Sequence, residues 1–127
     1  MFLRGVRMGK SDRKKLIVKL DKVFGDWIKQ RDNYTCVVCG KTKFNAVIQC
    51  GHLYSRVNHS TRWDEENCYA QCSGCNLRHE HEFEPFRRVV ESKLGKERLN
   101  ALWFRHGQVR KYKEFELKEL IKKYEIR

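Results

Sequence analysis

Proline is almost absent from the 127 residues: Pro85 stands alone, and the eight glycines are scattered rather than grouped. That scarcity excludes a Pro/Gly-rich disordered segment and marks no linker between domains. No internal repeat or low-complexity stretch is present either. Long hydrophobic runs are also missing. The opening residues, Met1 to Lys10, mix Phe2 and Leu3 with Arg4, Arg7 and Lys10, which is too broken for a secretory signal. Nothing approaches the roughly 20 apolar residues of a spanning helix. The expectation is a cytosolic protein without a membrane partner, in a compartment where thiols stay reduced. Acidic residues are the third shortage. Sixteen Asp and Glu face 28 Lys and Arg, a net charge of +12 at pH 7. Such a surplus produces a field that attracts polyanions, and for a small domain it points to nucleic acid.

What remains is globular material, 40% hydrophobic and 12% aromatic, enough for one domain with one core. From Ser11 to about Arg31, Leu16, Leu20, Val23, Phe24, Trp27 and Ile28 recur at helical spacing, with Ser11 or Asp12 as the cap. Asp32-Asn33-Tyr34 ends that helix. Phe44 to His52 reads as a strand, with Leu53-Tyr54 beginning its return, and Ser55 to Asn67 reads as a polar loop. A helix is expected near Cys72. A second carries Phe83, Phe86, Val89, Val90 and Leu94, with Pro85 in its first turn and Gly95 as its stop. Leu99, Leu102 and Trp103 suggest a third short helix. Tyr112, Phe115, Leu117, Leu120, Ile121 and Tyr124 mark a final amphipathic one, available either for core packing or for a subunit interface.

Six cysteines in a reducing compartment call for an explanation other than disulfides, and metal supplies it. Cys36-x-x-Cys39 and Cys72-x-x-Cys75 are two pairs spaced so that both sulfurs of each reach one ion. Together they complete a tetrahedral Zn²⁺ shell with no position left for water, the form of a structural site. Gly40 provides the turn the first knuckle needs. Cys50 and Cys68 are left over and read as small buried hydrophobes.

Between the knuckles lies Cys50-Gly51-His52 at the end of the expected strand, followed by Asn67 and, directly after Cys75, by Asn76. A histidine ending a strand, then an asparagine, then a ligand-type residue opening a helix is the order of the HNH nuclease motif. Asparagine in the last place is similar to the endonuclease VII kind of junction-resolving phage nucleases. The segments Gly51-His52-Leu53-Tyr54-Ser55-Arg56, Thr61-Arg62-Trp63-Asp64-Glu65-Glu66-Asn67-Cys68-Tyr69-Ala70-Gln71-Cys72 and Cys75-Asn76 resemble the NinG/Rap family of lambdoid phages. The similarity extends over Ile28-Lys29-Gln30-Arg31-Asp32, Lys93-Leu94-Gly95 and Lys111-Tyr112, roughly Leu16 to Tyr124.

The resemblance implies an α+β fold. A ββα-metal (HNH) core at 34–82 with the four-cysteine zinc would be flanked by an N-terminal helix at 11–31 and C-terminal helices at 83–127, all in one domain spanning 1–127. It implies a metal-dependent endonuclease acting on branched recombination intermediates, Holliday junctions and D-loops, in the cytoplasm of a bacterial host. His52 would be the base that activates water, Asn76 a ligand of a catalytic Mg²⁺ or Mn²⁺, and Asn67 the residue orienting the histidine, although a turn or capping role suits Asn67 as well. Nucleases of the endonuclease VII kind carry an aspartate ligand immediately before the base; here Gly51 has no side chain to offer. His79, one helical turn after Asn76, is the candidate second ligand, ahead of His81 and of Asp64, Glu65 and Glu66. Arg56 and Arg62 are candidates for DNA phosphate contact or for salt bridges to those three acids. Two cuts in a four-way junction favour a homodimer, with DNA rather than a small molecule as substrate. The alternatives are a zinc-dependent module that binds DNA without cutting it, and an HNH nicking enzyme acting on ordinary duplex.

Overall fold

The computed structural model describes residues 9–126; Met1–Met8, the greater part of the opening segment weighed above as a signal, and Arg127 lie outside the described residues. A long helix, α1 (Lys10–Arg31), comes first, with Gly9 as its N-cap and Asp12 inside its first turn; the Ser11 side chain lies outside what the structure describes. Leu20, Phe24 and Ile28 form its buried stripe, as the four-residue spacing requires. It stops where the Asp32 carboxylate turns aside to accept the Ala70 N–H at 2.8 Å. Asn33 and Tyr34 then reverse the chain at φ values of 55° and 49°.

The sheet has two strands, β1 (Ile48–His52) and β2 (Cys68–Cys72), antiparallel, pairing Ile48 with Cys72 and His52 with Cys68. Both strands differ from expectation. Phe44 and Asn45 lie in a turn fastened by the Asn45 side chain, which accepts the Thr42 N–H; the chain bends at Ala46, and Phe44 and Val47 stay exposed. Leu53-Tyr54 is not the return strand. The return waits for Cys68 because Tyr54 is held by both ends of the Asn67 amide. The intervening segment contains a short helix, α2 (His59–Arg62), and buries Thr61, Trp63 and Asn67.

After β2 follow α3 (Ser73–His79), α4 (Glu84–Leu94), α5 (Lys96–His106) and α6 (Glu114–Tyr124). Pro85 sits in the first turn of α4, and Gly95, at φ +83°, separates α4 from α5, a conformation glycine alone adopts without strain. The hairpin lies between two apolar clusters. One joins Leu20, Phe24 and Ile28 of α1 to Leu117, Ile121 and Tyr124 of α6, and takes in Cys68. The other joins Leu53 and Tyr69 to Phe86 and Val90 of α4 and to Leu99 and Leu102 of α5. Cys68 enters the first cluster and Tyr69 the second, and every residue of β2 is buried. The apolar stripe of α6 is therefore taken up by α1 within the chain. The fold is a small α+β domain, and no described helix is long and apolar enough to cross a membrane.

Candidate functional site

The four cysteines converge at one end of the hairpin. Cys36 and Cys39 come from the knuckle after α1, Cys72 ends β2, and Cys75 lies in α3. The Val37 N–H donates to the Ala70 carbonyl at 2.9 Å, which binds the knuckle to β2. All four sulfurs lie within 4.8 Å of one another, and those of Cys39 and Cys72 are 3.7 Å apart. A tetrahedron with Zn–S bonds of about 2.3 Å has edges of about 3.8 Å, so the donor set and its spacing fit a structural zinc ion. The Cys75 N–H donates to the Cys72 sulfur. Burial pushes the Cys36 thiol up, but N–H groups from Cys39, Cys72 and Val38 outweigh it and bring the thiol down to about 7, whereas Cys39 and Cys75 lie above the ordinary thiol value, Cys75 chiefly through burial.

At the other end of the hairpin stands His52. Its Nε2–H donates to the Arg62 carbonyl at 2.8 Å, and with that proton on Nε2 the lone pair is left on Nδ1. Burial holds the ring below its ordinary value of 6.5, and the charges of Arg56 and Arg62 act in the same direction, against the Arg62 carbonyl and Asp21. The imidazole is therefore neutral at pH 7. His52 lines a cleft of about 650 Å³ shared with Asp21, Lys22, Arg56, Asn76 and His79.

The carbonyl that orients His52 is itself held in place. Asn67, fully buried, donates through Nδ2 to the carbonyls of Thr61 and Tyr54 and accepts the Tyr54 N–H on Oδ1. Its role is to clamp the loop that presents the Arg62 carbonyl, not to touch the histidine. The Arg62 side chain makes two bonds to Asp21, at 3.0 and 2.6 Å, and Arg56 adds a third at 2.8 Å. The Trp63 indole N–H reaches the same carboxylate at 2.9 Å. The acid anticipated as a partner for these arginines was Asp64, Glu65 or Glu66; the observed one comes from α1.

Asn76 projects from α3, and its Nδ2 donates to Gln49 Oε1 at 2.9 Å. That bond leaves its Oδ1 on the side of Gly51, 3.1 Å from where a Cβ on that glycine would stand. His79 is otherwise engaged. Its Nε2–H donates to the Leu53 carbonyl at 2.9 Å, its ring lies against Phe83 and Phe86, and its Nδ1 is buried without a partner. Nε2 is thus taken, and Nδ1, although unpartnered, is buried in the side of the ring packed on the phenylalanines. The three acids are committed as well. Asp64 and Glu66 receive Arg105, Glu66 also receives Arg98, and Glu65 accepts the Tyr124 hydroxyl. His81 is exposed in the turn beyond α3. Cys68 is fully buried, as its reading as a small buried hydrophobe requires; Cys50 is only half-buried against the same cluster, and both sulfurs lie within 4.8 Å of a ring nitrogen of His52.

With this geometry in place, the family comparison is decisive. The model of the family described as bacteriophage lambda NinG protein matches residues 4–127. The chain belongs to the NinG family. No curated protein and no solved structure matches it.

In this NinG-family chain two residues near His52 escaped the sequence reading. Asp21 is one acid on a lysine-rich helix, and nothing local distinguishes it from a solvated side chain. Gln71 precedes Cys72 and carries no motif of its own, yet it is fully buried with both amide atoms unpartnered.

Proposed function

We propose that the chain is a metal-dependent DNA endonuclease of the HNH type. The observation that carries this reading is His52, a neutral imidazole with Nδ1 unprotonated, lining the same cleft as Asn76 in a chain of net charge +12. A water in that cleft loses a proton to Nδ1 as its oxygen bonds to the phosphorus of the scissile phosphate. The bond from phosphorus to the leaving oxygen breaks, and its electron pair goes to that oxygen. The Arg62 carbonyl, already accepting from Nε2, steadies the imidazolium that forms. Asn76 would hold a divalent cation such as Mg²⁺ or Mn²⁺, whose charge would offset what develops on the leaving oxygen.

Arg56 is half exposed, its side chain 54% accessible and tied to Asp21 by one nitrogen. That leaves most of its guanidinium fork for a DNA phosphate. Arg62, at 16%, serves as the brace behind His52, although it was a candidate for the same contact. Branched DNA as the substrate follows from the resemblance to phage recombination nucleases, and two cuts per junction favour a homodimer.

The test is cleavage of a labelled four-way junction and of a matched linear duplex with Mg²⁺, Mn²⁺ or EDTA, alongside His52→Ala of unchanged zinc content. The expected result is metal-dependent cutting of the junction, absent in the variant while binding persists. Equal cutting of both DNAs would leave a nuclease without branch preference. Binding without cutting by either protein would leave a zinc-dependent DNA-binding module.

A further inference from the structure

Gly51, immediately before His52, is surrounded by side-chain amides. A Cβ built on it would lie 1.9 Å from Gln71 Oε1 and 3.1 Å from Asn76 Oδ1. The space that a side chain at position 51 would enter is thus filled by the Gln71 carboxamide, and two amide oxygens from different elements converge there. β2 delivers one and α3 the other. Gln49, opposite Gln71 in the ladder, ties Asn76 Nδ2 at 2.9 Å and so leaves the Asn76 oxygen on this side.

The Gln71 amide is unusual in a second respect. The residue is fully buried, and neither Oε1 nor Nε2 has a hydrogen-bond partner. A buried amide without partners is costly, and an unexplained one calls for a missing ion or water. An ion explains the oxygen. The candidates named from sequence are engaged elsewhere: His79 with the Leu53 carbonyl, and Asp64 and Glu66 with arginines of α5.

We propose that Gln71 Oε1 and Asn76 Oδ1 together are the protein ligands of a hard divalent cation beside His52, with Gln71 in the place that a carboxylate at position 51 would occupy. The proposal rests on the nuclease reading for its purpose, but its geometry is independent of any cutting. Two neutral oxygens leave the ion its full charge, so binding is weak in the free protein and tightens when phosphate oxygens complete the shell.

The competing account is a water. A cavity of about 10 Å³ lined by Gln71 and His79 is about the size of one water, which would satisfy the amide and the buried His79 Nδ1 together. Mn²⁺ binding to the zinc-loaded protein, followed by electron paramagnetic resonance, separates the two. Gln71→Met keeps the shape and removes the oxygen; it is expected to weaken Mn²⁺ by about tenfold or more with zinc content and melting temperature little changed. Gln71→Glu, which adds a charge, is expected to tighten it. Gln71→Ala combined with Gly51→Asp moves the oxygen donor from one strand to the other, and it should restore the affinity that Gln71→Ala alone loses. If Gln71→Met binds Mn²⁺ as the parent does while Asn76→Ala does not, or if the parent binds none, the ligand assignment is wrong. Should the double variant fold and bind no better than Gln71→Ala, it is wrong as well. Junction cleavage by the parent reads the nuclease separately: cutting with Mn²⁺ binding indifferent to Gln71 removes only this inference, and Gln71-dependent binding without cutting removes only the nuclease.

Discussion

The two ends of the hairpin are built in opposite ways. At the end where Ile48 faces Cys72, two Cys-x-x-Cys pairs bring four sulfurs within 4.8 Å of one another. Each pair is local, and only the meeting of the pairs is a long-range event. At the end where His52 faces Cys68, almost nothing is local. The histidine is oriented by a carbonyl ten residues away. Asn67 clamps the loop that presents this carbonyl, and Asp21 anchors it through Arg62 across 41 residues of sequence. A metal-sulfur site draws its strength from few, strong, directional bonds, whereas the His52 site is a sum of many weaker ones. The first should fail all at once, the second by degrees.

Removing one zinc ligand is the harshest way to break the comparison. Cys75→Ser should release the metal and abolish cooperative unfolding, because structural zinc contributes about 10–16 kcal/mol in small domains, as much as the whole stability of about 5–15 kcal/mol. Circular dichroism with a zinc assay reads the outcome; a folded, zinc-free variant would show that the two apolar clusters hold the chain unaided.

His52→Ala touches only the second end. A general base contributes about 10²–10⁴ in rate, so junction cleavage should fall by that factor while zinc content stays at the parent level and melting drops only modestly for the lost bond to the Arg62 carbonyl. Retained cleavage would remove His52 from the chemistry.

Asp21→Asn lies between these two in kind, since it strips the charge from an acceptor shared by Arg56, Arg62 and Trp63. A loss of about 1–3 kcal/mol by urea denaturation is expected, with slower cleavage and unchanged zinc. A variant as stable and active as the parent would mean that the Arg62 carbonyl holds its position without the anchor.

The smallest effect is in pH. Burial first, and then the charges of Arg56 and Arg62, depress His52, so the acid limb of cleavage should have its midpoint below the ordinary value of 6.5. Arg56→Ala should move that midpoint upward. The sign for stability follows from the same depression. Above 6.5 the ring is neutral in both folded and unfolded chains; as pH falls from 6.5 toward the lower native value, the unfolded chain takes the proton first and stability declines. A midpoint above 6.5 would contradict the environment described for His52.

Legibility divided along the same line. The zinc knuckles, the stop at Gly95, Pro85 opening α4 and the buried stripe of α1 all follow from spacing within one segment, and the structure has them. The expected strand does not reach back to Phe44 because Phe44 sits in a turn that the Asn45 side chain closes and the chain bends at Ala46. Helical spacing placed His79 beside Asn76, but spacing does not tell where a ring points, and this ring packs inward on Phe83 and Phe86.

By itself the sequence determined the charge that attracts a polyanion, the thiol pairs that fit zinc, the helices and the order of histidine and asparagines along the chain. These depend on residue type and short spacing, although the short helix α2 inside the expected loop did not announce itself that way. Only the tertiary structure decided that Asp21 anchors the loop behind His52, that His79 faces the core, and that the Gln71 amide enters the space left open by Gly51. Those outcomes depend on strand register and on the approach of α1 and α3 to the hairpin, where distant residues compete for the same few ångströms.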